Sequence, residues 1–261
     1  MKKFSFCSVW MSAIAMLATT ASAALVTGGT ASISLTTSPT NGAIADRFFT
    51  GVGAATLPLL GAGGIIDTVG NPAVAFPRHP NGVDMAILGG SVTQPTGRAR
   101  QTTNLDFTAA GINIAGFLSS WLPATPGFGA FGPSLTGGER VGIDGLLRFS
   151  DPILGSAVAG DFALQYDPLS ATGSREGLTL TNNTSANAIV WQLDIIDATF
   201  NSSASGFSFV ADMYTTPGPA AFYGLDSYAG RFSINAVVPE PSSLASLTLV
   251  SLLGCRRRSR S

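Results

Sequence analysis

His79 is the chain's one histidine, in Phe76-Pro77-Arg78-His79-Pro80-Asn81-Gly82. A turn between two prolines and an Asn-Gly pair can present an imidazole as a general base. No Gly-x-Ser-x-Gly elbow accompanies it, and no catalytic role is assigned to it. Two carboxylate pairs, Asp144 with Asp151 and Asp194 with Asp197, have the residue types of a glycosidase, which needs two acids flanking one bond. Their spacing does not establish that separation, and a solvated sheet face explains Asp194 equally well. Calcium would need several converging oxygens; with no EF-hand loop and no Asp-rich repeat, no metal or cofactor is expected. Trp121, Trp191, Tyr166, Tyr214, Tyr223 and Tyr228 offer rings with apolar faces and polar tips, suited to stacking on sugars. Trp191 follows a buried period. Tyr223 and Tyr228, in AAFYGLDSYAG, sit in a Gly-punctuated loop and are the candidate glycan contacts. Asn182-Asn183-Thr184, Asn183-Thr184-Ser185 and Asn201-Ser202-Ser203 match the N-glycosylation pattern, which has meaning only in a cell with the matching transferase.

The elements that must position these residues read as strands. Val141, Ile143, Leu147 and Phe149 fall on one face of RVGIDGLLRF, with Asp144 and Arg148 opposite. Phe162, Leu164 and Tyr166 alternate in DFALQY, and Leu178 pairs with Leu180. Ile189, Trp191, Leu193 and Ile195 share a face, as do Phe207, Phe209, Ala211 and Met213, and Phe232, Ile234 and Ala236. A period of two sends alternate side chains to opposite faces of a sheet. Runs of this kind between Gly- and Pro-rich turns predict an all-β fold, a β-sandwich that could be jelly-roll-like. The first half is less regular. ALVTGGTASISLTT, VDMAILGGSV and QTTNLDFTAAG each suit a strand, and INIAGFLSSWL suits a short helix or a strand. No linker or fixed-period repeat divides residues 24–237, which are expected to form one β-rich domain.

Charge and cysteine usage narrow the role. Residues 24–240 hold fifteen acids, eight arginines and no lysine, a net charge of −7. An acidic body argues against a phosphate-tracking surface, so no nucleic-acid partner is expected. Only Cys7 and Cys255 occur, both outside that body, which therefore has no disulfide framework and no thiolate metal site. It must fold on core burial alone, which all-β domains of up to about 250 residues do.

The two ends carry addresses. Lys2 and Lys3 precede an apolar run that closes on Ala21-Ser22-Ala23. A basic start, an apolar stretch and small residues at −3 and −1 form a secretory signal peptide, residues 1–23, cleaved after Ala23. The Sec translocon and signal peptidase are the expected partners. Cys7 lacks the preceding small residues of a lipidation site. At the other end, Val238-Pro239-Glu240-Pro241-Ser242 leads into the apolar stretch Leu244–Cys255, then Arg256, Arg257, Arg258 and Arg260. As a helix the stretch would reach ~18 Å, against ~30 Å of hydrocarbon, so it is a poor permanent span. The arginines resist translocation and stay cytoplasmic.

Motif, apolar segment and terminal arginines, residues 238–261, together resemble the PEP-CTERM sorting signal of Gram-negative bacteria. The resemblance covers the tail and leaves the body unassigned. It implies recognition by an exosortase, transient inner-membrane association through the tail, and release to the cell surface or exterior, often alongside exopolysaccharide and biofilm. The combined expectation is a non-enzymatic, exported surface or matrix protein with a structural or adhesive role and extracellular polysaccharide as a partner. The alternative is a carbohydrate-binding module or a glycan-active enzyme of the same compartment.

Overall fold

The computed structural model describes residues 24–36, 44–49, 83–94, 99–107, 112–121, 138–151, 155–184, 187–201, 205–217, 220 and 224–239. In chain order the strands are β1 (Ala24–Leu25), β2 (Gly28–Leu35), β3 (Ile44–Phe49), β4 (Val83–Leu88), β5 (Asp106–Phe107), β6 (Arg140–Ile143), β7 (Leu146–Asp151), β8 (Gly155–Gly160), β9 (Ala163–Tyr166), β10 (Leu178–Asn183), β11 (Asn187–Phe200), β12 (Gly206–Thr215) and β13 (Tyr228–Val237). One helix, α1 (Ile114–Ser119), lies between β5 and β6. No helix among the described residues is long and apolar enough to cross a membrane. The apolar stretch 244–255 and residues 1–23, expected to be a signal peptide, lie outside those residues.

The fold is all-β, and its strands close where two facing sheets were expected. Eight antiparallel strands form a ring in the order β10-β11-β12-β13-β2-β4-β6-β9, with β9 pairing back to β10. Strands β9 to β13 follow one another as a meander. The ring then depends on the first long strand: β2 pairs β13 from Gly28↔Val237 to Leu35↔Gly230. A pairing with more than 190 residues between its members is invisible to local periodicity. Strands β3, β7 and β8 form a separate sheet, and β1 pairs β5.

Inward positions fill the barrel. Ile33, Met85, Val141, Ile143, Leu164, Leu178, Leu180, Trp191, Leu193, Phe209, Met213 and Phe232 are buried in one core. Each such side chain contributes roughly 1.5–3 kcal/mol by leaving water. The alternation expected for β12 and β13 is the one found. On β11 a bulge opposite Leu180/Thr181 shifts the pattern. Val190 is buried as a result, and Ile189 only partly.

RVGIDGLLRF departs from its reading as one strand. Gly145, at φ +127°, breaks the run, so β6 stays in the barrel while β7 joins the separate sheet. Asp144, read as lying opposite the apolar face, is buried and ion-paired to Arg100. QTTNLDFTAAG is also more than a strand. Residues 99–105 run as a strap over the barrel, with Ala99 N–H donating to Asn183 O (2.9 Å) and Gly142 N–H to Thr103 Oγ1 (2.9 Å). A Cβ at position 142 would lie 1.9 Å from Gln101 O, so only glycine admits the strap. Arg100 fastens it, bonding both Asp144 and Asp161.

INIAGFLSSWL resolves as the helix. Asn113 caps it, its side chain accepting from Gly116 N–H at 2.9 Å. Phe117 enters the core against Phe107, Phe200, Phe207 and Phe209, with ring centroids 4.9–6.3 Å apart. The helix thereby closes the barrel at the β11–β12 end.

Candidate functional site

Period two fills the barrel and leaves the alternate residues of β4, β2, β13, β12 and β11 on its outer face. Register aligns them into cross-strand rows. One row runs Asp84–Ser32–Ser233–Val210–Asp197. A second, two residues along each strand, runs Ala86–Thr30–Asn235–Ser208–Thr199. In the other direction come Ser34–Arg231–Asp212–Asp194 and then Tyr228–Tyr214–Gln192. Rows lie about 6.8 Å apart and strands about 4.8 Å apart, so the face is broad enough for an extended ligand.

Asp194 and Asp197 reach this common face through a strand irregularity. Residues three apart on a regular strand point to opposite sides. A bulge between Ile195 and Asp197 adds one residue on β11, so Asp197 pairs Val210 while Asp194 pairs Asp212. The extra residue, Ile196, is exposed. The first two rows line an open recess of about 370 Å³, within the ~300–1,000 Å³ range of small-molecule sites. Hydroxyls of Thr30, Ser32, Thr199, Ser208 and Ser233 and the amide of Asn235 supply donors and acceptors. Asp84 and Asp197 stand at its two sides.

The far rows hold an aromatic and cationic cluster. Tyr228, 39% exposed, meets Tyr214 edge-to-face at 6.0 Å. The Arg175 guanidinium lies 4.6 Å from the Tyr214 ring centroid. It also donates to Gln192 Oε1 (2.7 Å) and pairs with Asp226 (2.5 Å). A turn with Gly173 at φ +60° brings it there. Ser174 in the same turn donates to Asp194 Oδ2 (2.6 Å), and Arg231 pairs with Asp212 (3.2 Å). Burial, then the nearby Asp212 and Asp194 carboxylates, pushes the Tyr214 phenol above its ordinary value, with Arg175 acting the other way. The hydrogen bond from Arg175 holds the Asp226 carboxyl below the usual range.

The candidates read from sequence distribute unevenly. Tyr228 lies on this face, at the start of β13. Tyr223, His79 and Ala21 and Ala23 of the expected signal peptide lie outside the described residues, as do Glu240, Pro241, Ser242, Arg256, Arg257, Arg258 and Arg260. Of residues 238–242, expected to be a sorting motif, Val238 is buried, its N–H donating to Ser205 O at 3.0 Å, and Pro239 is exposed. Asp144 lies in the break between β6 and β7 and is engaged by Arg100, whereas Asp151 ends β7 in the separate sheet. Trp191 is core, against Phe162. Asn182 and Asn183 are buried: Asn182 accepts from Gly160 N–H (2.9 Å) and Asn183 donates to Asp161 O (2.9 Å), so neither sequon is open in the folded chain. Asn201 is exposed. Among the described residues no group of three His, Cys, Asp or Glu could hold a metal ion.

The hydroxyl rows went unread in the sequence. Their signal was present: outward positions Thr30, Ser32, Ser34, Ser208, Ser233 and Asn235 are small and uncharged, where an ordinary solvated face favours Lys and Glu. A surface of hydroxyls, amides, carboxylates and one edge of tyrosines can hydrogen-bond and stack on a polyhydroxylated ligand. No family model matches the chain, nor does any curated protein or solved structure.

Proposed function

We propose that the chain is an exported protein, sorted by an exosortase to the cell surface or extracellular matrix of a Gram-negative bacterium, whose barrel acts by binding. Its role is structural or adhesive, in a polysaccharide-rich matrix. The observation that carries this reading is the junction between body and tail. Among the described residues Val238, which follows β13, is buried and Pro239 is exposed. On this reading a cut beyond the motif falls after β13 and severs no described strand. Intact-mass measurement on protein from the native host tests it. The expected species has lost both the signal peptide and the residues following the motif. Unchanged localisation after deletion of 240–261, or unchanged mass in a host lacking exosortase, would overturn it.

A second reading, a carbohydrate-binding module, is favoured by the Tyr214–Tyr228 pair beside the hydroxyl rows. Glycan-array binding lost in Tyr228→Ala or Tyr223→Ala supports it. A glycan-active enzyme would use Asp194 and Asp197. Asp197 is exposed and lines an open recess, whereas the general acid of a glycosidase is shielded in an apolar pocket. Glycan hydrolysis lost in Asp194→Asn or Asp197→Asn would establish the enzyme instead.

A further inference from the structure

We infer that the recess on the outer face is a charge-selecting subsite for a glycan bearing free amino groups, a polymer of deacetylated amino sugars. The inference rests on the reading of the body as a glycan-binding domain and names the class of glycan.

The recess combines two kinds of group. Ser32, Ser233, Thr30 and Asn235 on β2 and β13 present short polar side chains suited to sugar hydroxyls. Asp84 and Asp197 flank them on β4 and β11, and none of the described residues lining the recess is Lys, Arg or His. Neither carboxylate is tied into an ion pair among the described residues, so both are free to meet a ligand cation. The cations elsewhere on the face are occupied: Arg231 by Asp212 and Arg175 by Asp226.

Charge then discriminates between glycans of similar shape. A uronic-acid polymer would set carboxylates against Asp84 and Asp197, and against the Asp194 and Asp212 row beside them. A neutral polymer would meet the hydroxyls and gain nothing from the acids. An amino-sugar polymer satisfies both groups. The field of the whole body points the same way, since residues 24–240 carry net −7 and attract a polycation from a distance. The tyrosine edge two to three rows away lies on the same face and would receive the continuing chain on its apolar side.

Titration calorimetry of the full exported protein with a glucosamine oligomer, its N-acetylated counterpart and a uronate oligomer tests the inference. The glucosamine oligomer is expected to bind best, and its affinity to fall as salt is raised. Exposed ion pairs contribute ~0.2–1 kcal/mol each. Replacing both acids, in Asp84→Asn with Asp197→Asn, should therefore weaken binding by about twofold to thirtyfold, and flatten the salt dependence. Ser233→Tyr, which fills the floor, should abolish binding. Circular dichroism and melting of each variant check that the barrel is intact. Preference for the uronate, a requirement for calcium, or unchanged affinity in the double variant would overturn the inference. If Tyr228→Ala abolishes binding while the double variant does not, the recess assignment falls and the glycan-binding body stands. If no glycan binds the native protein, both fall.

Discussion

Arg100 places a guanidinium inside the body between two carboxylates, with Arg100 6% exposed, Asp144 8% and Asp161 0%. Removing one partner of a buried ionic cluster costs about 3–5 kcal/mol, because burial of the remaining charge is no longer compensated. Arg100→Met is expected to destabilise by about that amount in denaturant unfolding, and the strap 99–105 should gain amide exchange. Sequence could not single out Arg100, since nothing local marks which of eight body arginines turns inward. The Arg175–Asp226 pair, open to solvent on its carboxylate side, should behave in the opposite way. Asp226 is 62% exposed on its side chain, so Asp226→Asn should shift stability by less than about 1 kcal/mol. What stability that pair adds is present above the usual carboxylate range and is lost as pH falls through the depressed value of Asp226. Tyr214 has the reverse sign. Its phenol is raised in the folded state, so its contribution is complete below the ordinary tyrosine value and is lost as pH rises through the raised one. A melting series at alkaline pH should show a decline that is smaller in Tyr214→Phe.

At the scale of elements, strand β11 decides whether the outer face exists as described. The bulge at Ile196 puts Asp197 and Thr199 outward with Asp194. Deleting Ile196 removes the extra residue and restores regular alternation, so Asp197 still pairs Val210 and stays outward with Asp194 and Thr199. The expected outcome is a barrel that keeps its register and its recess and still unfolds cooperatively in denaturant; loss of cooperative unfolding would show that the bulge itself is required. Alternation in the sequence revealed the inner faces of β12 and β13 because both strands run unbroken for most of their length. It misassigned Ile189 and Val190, and it hid Asp197, because a bulge is set jointly with the partner strand and leaves no mark on one strand's period. The helix depends on its cap and on Phe117. Asn113→Ala should cost about 1 kcal/mol, and Phe117→Ala about 3–5 kcal/mol through the cavity left among Phe107, Phe200 and Phe207. Both are read in the same unfolding measurement.

At the scale of the whole molecule, closure runs through the ends of the body. β13 lies between β12 and β2, so the last strand is an interior member of the ring. Gly230 permits one of its closest approaches: at φ +142°, a Cβ there would lie 2.0 Å from Ser34 O. Truncation after Pro239 should leave the melting temperature unchanged. Truncation after Val237 removes a fully buried valine and should cost about 1.5–3 kcal/mol, several degrees of melting temperature. That step in stability between two adjacent end points would locate the boundary of the folded body.

Composition, alternation and the two terminal signals determined, from sequence alone, a cysteine-free β-rich body of net negative charge and the addresses expected at its ends. These are properties of single residues or of short runs, and short runs carry their own physics: side chains alternate, prolines stop ladders, apolar stretches enter membranes. Only the tertiary structure decided that eight strands close into a ring, that Asp144 is an interior ion-pair partner, and that hydroxyls from β2, β12 and β13 meet in one recess between Asp84 and Asp197. Each of those depends on register between segments far apart in the chain, and register is chosen by the packing of the whole core.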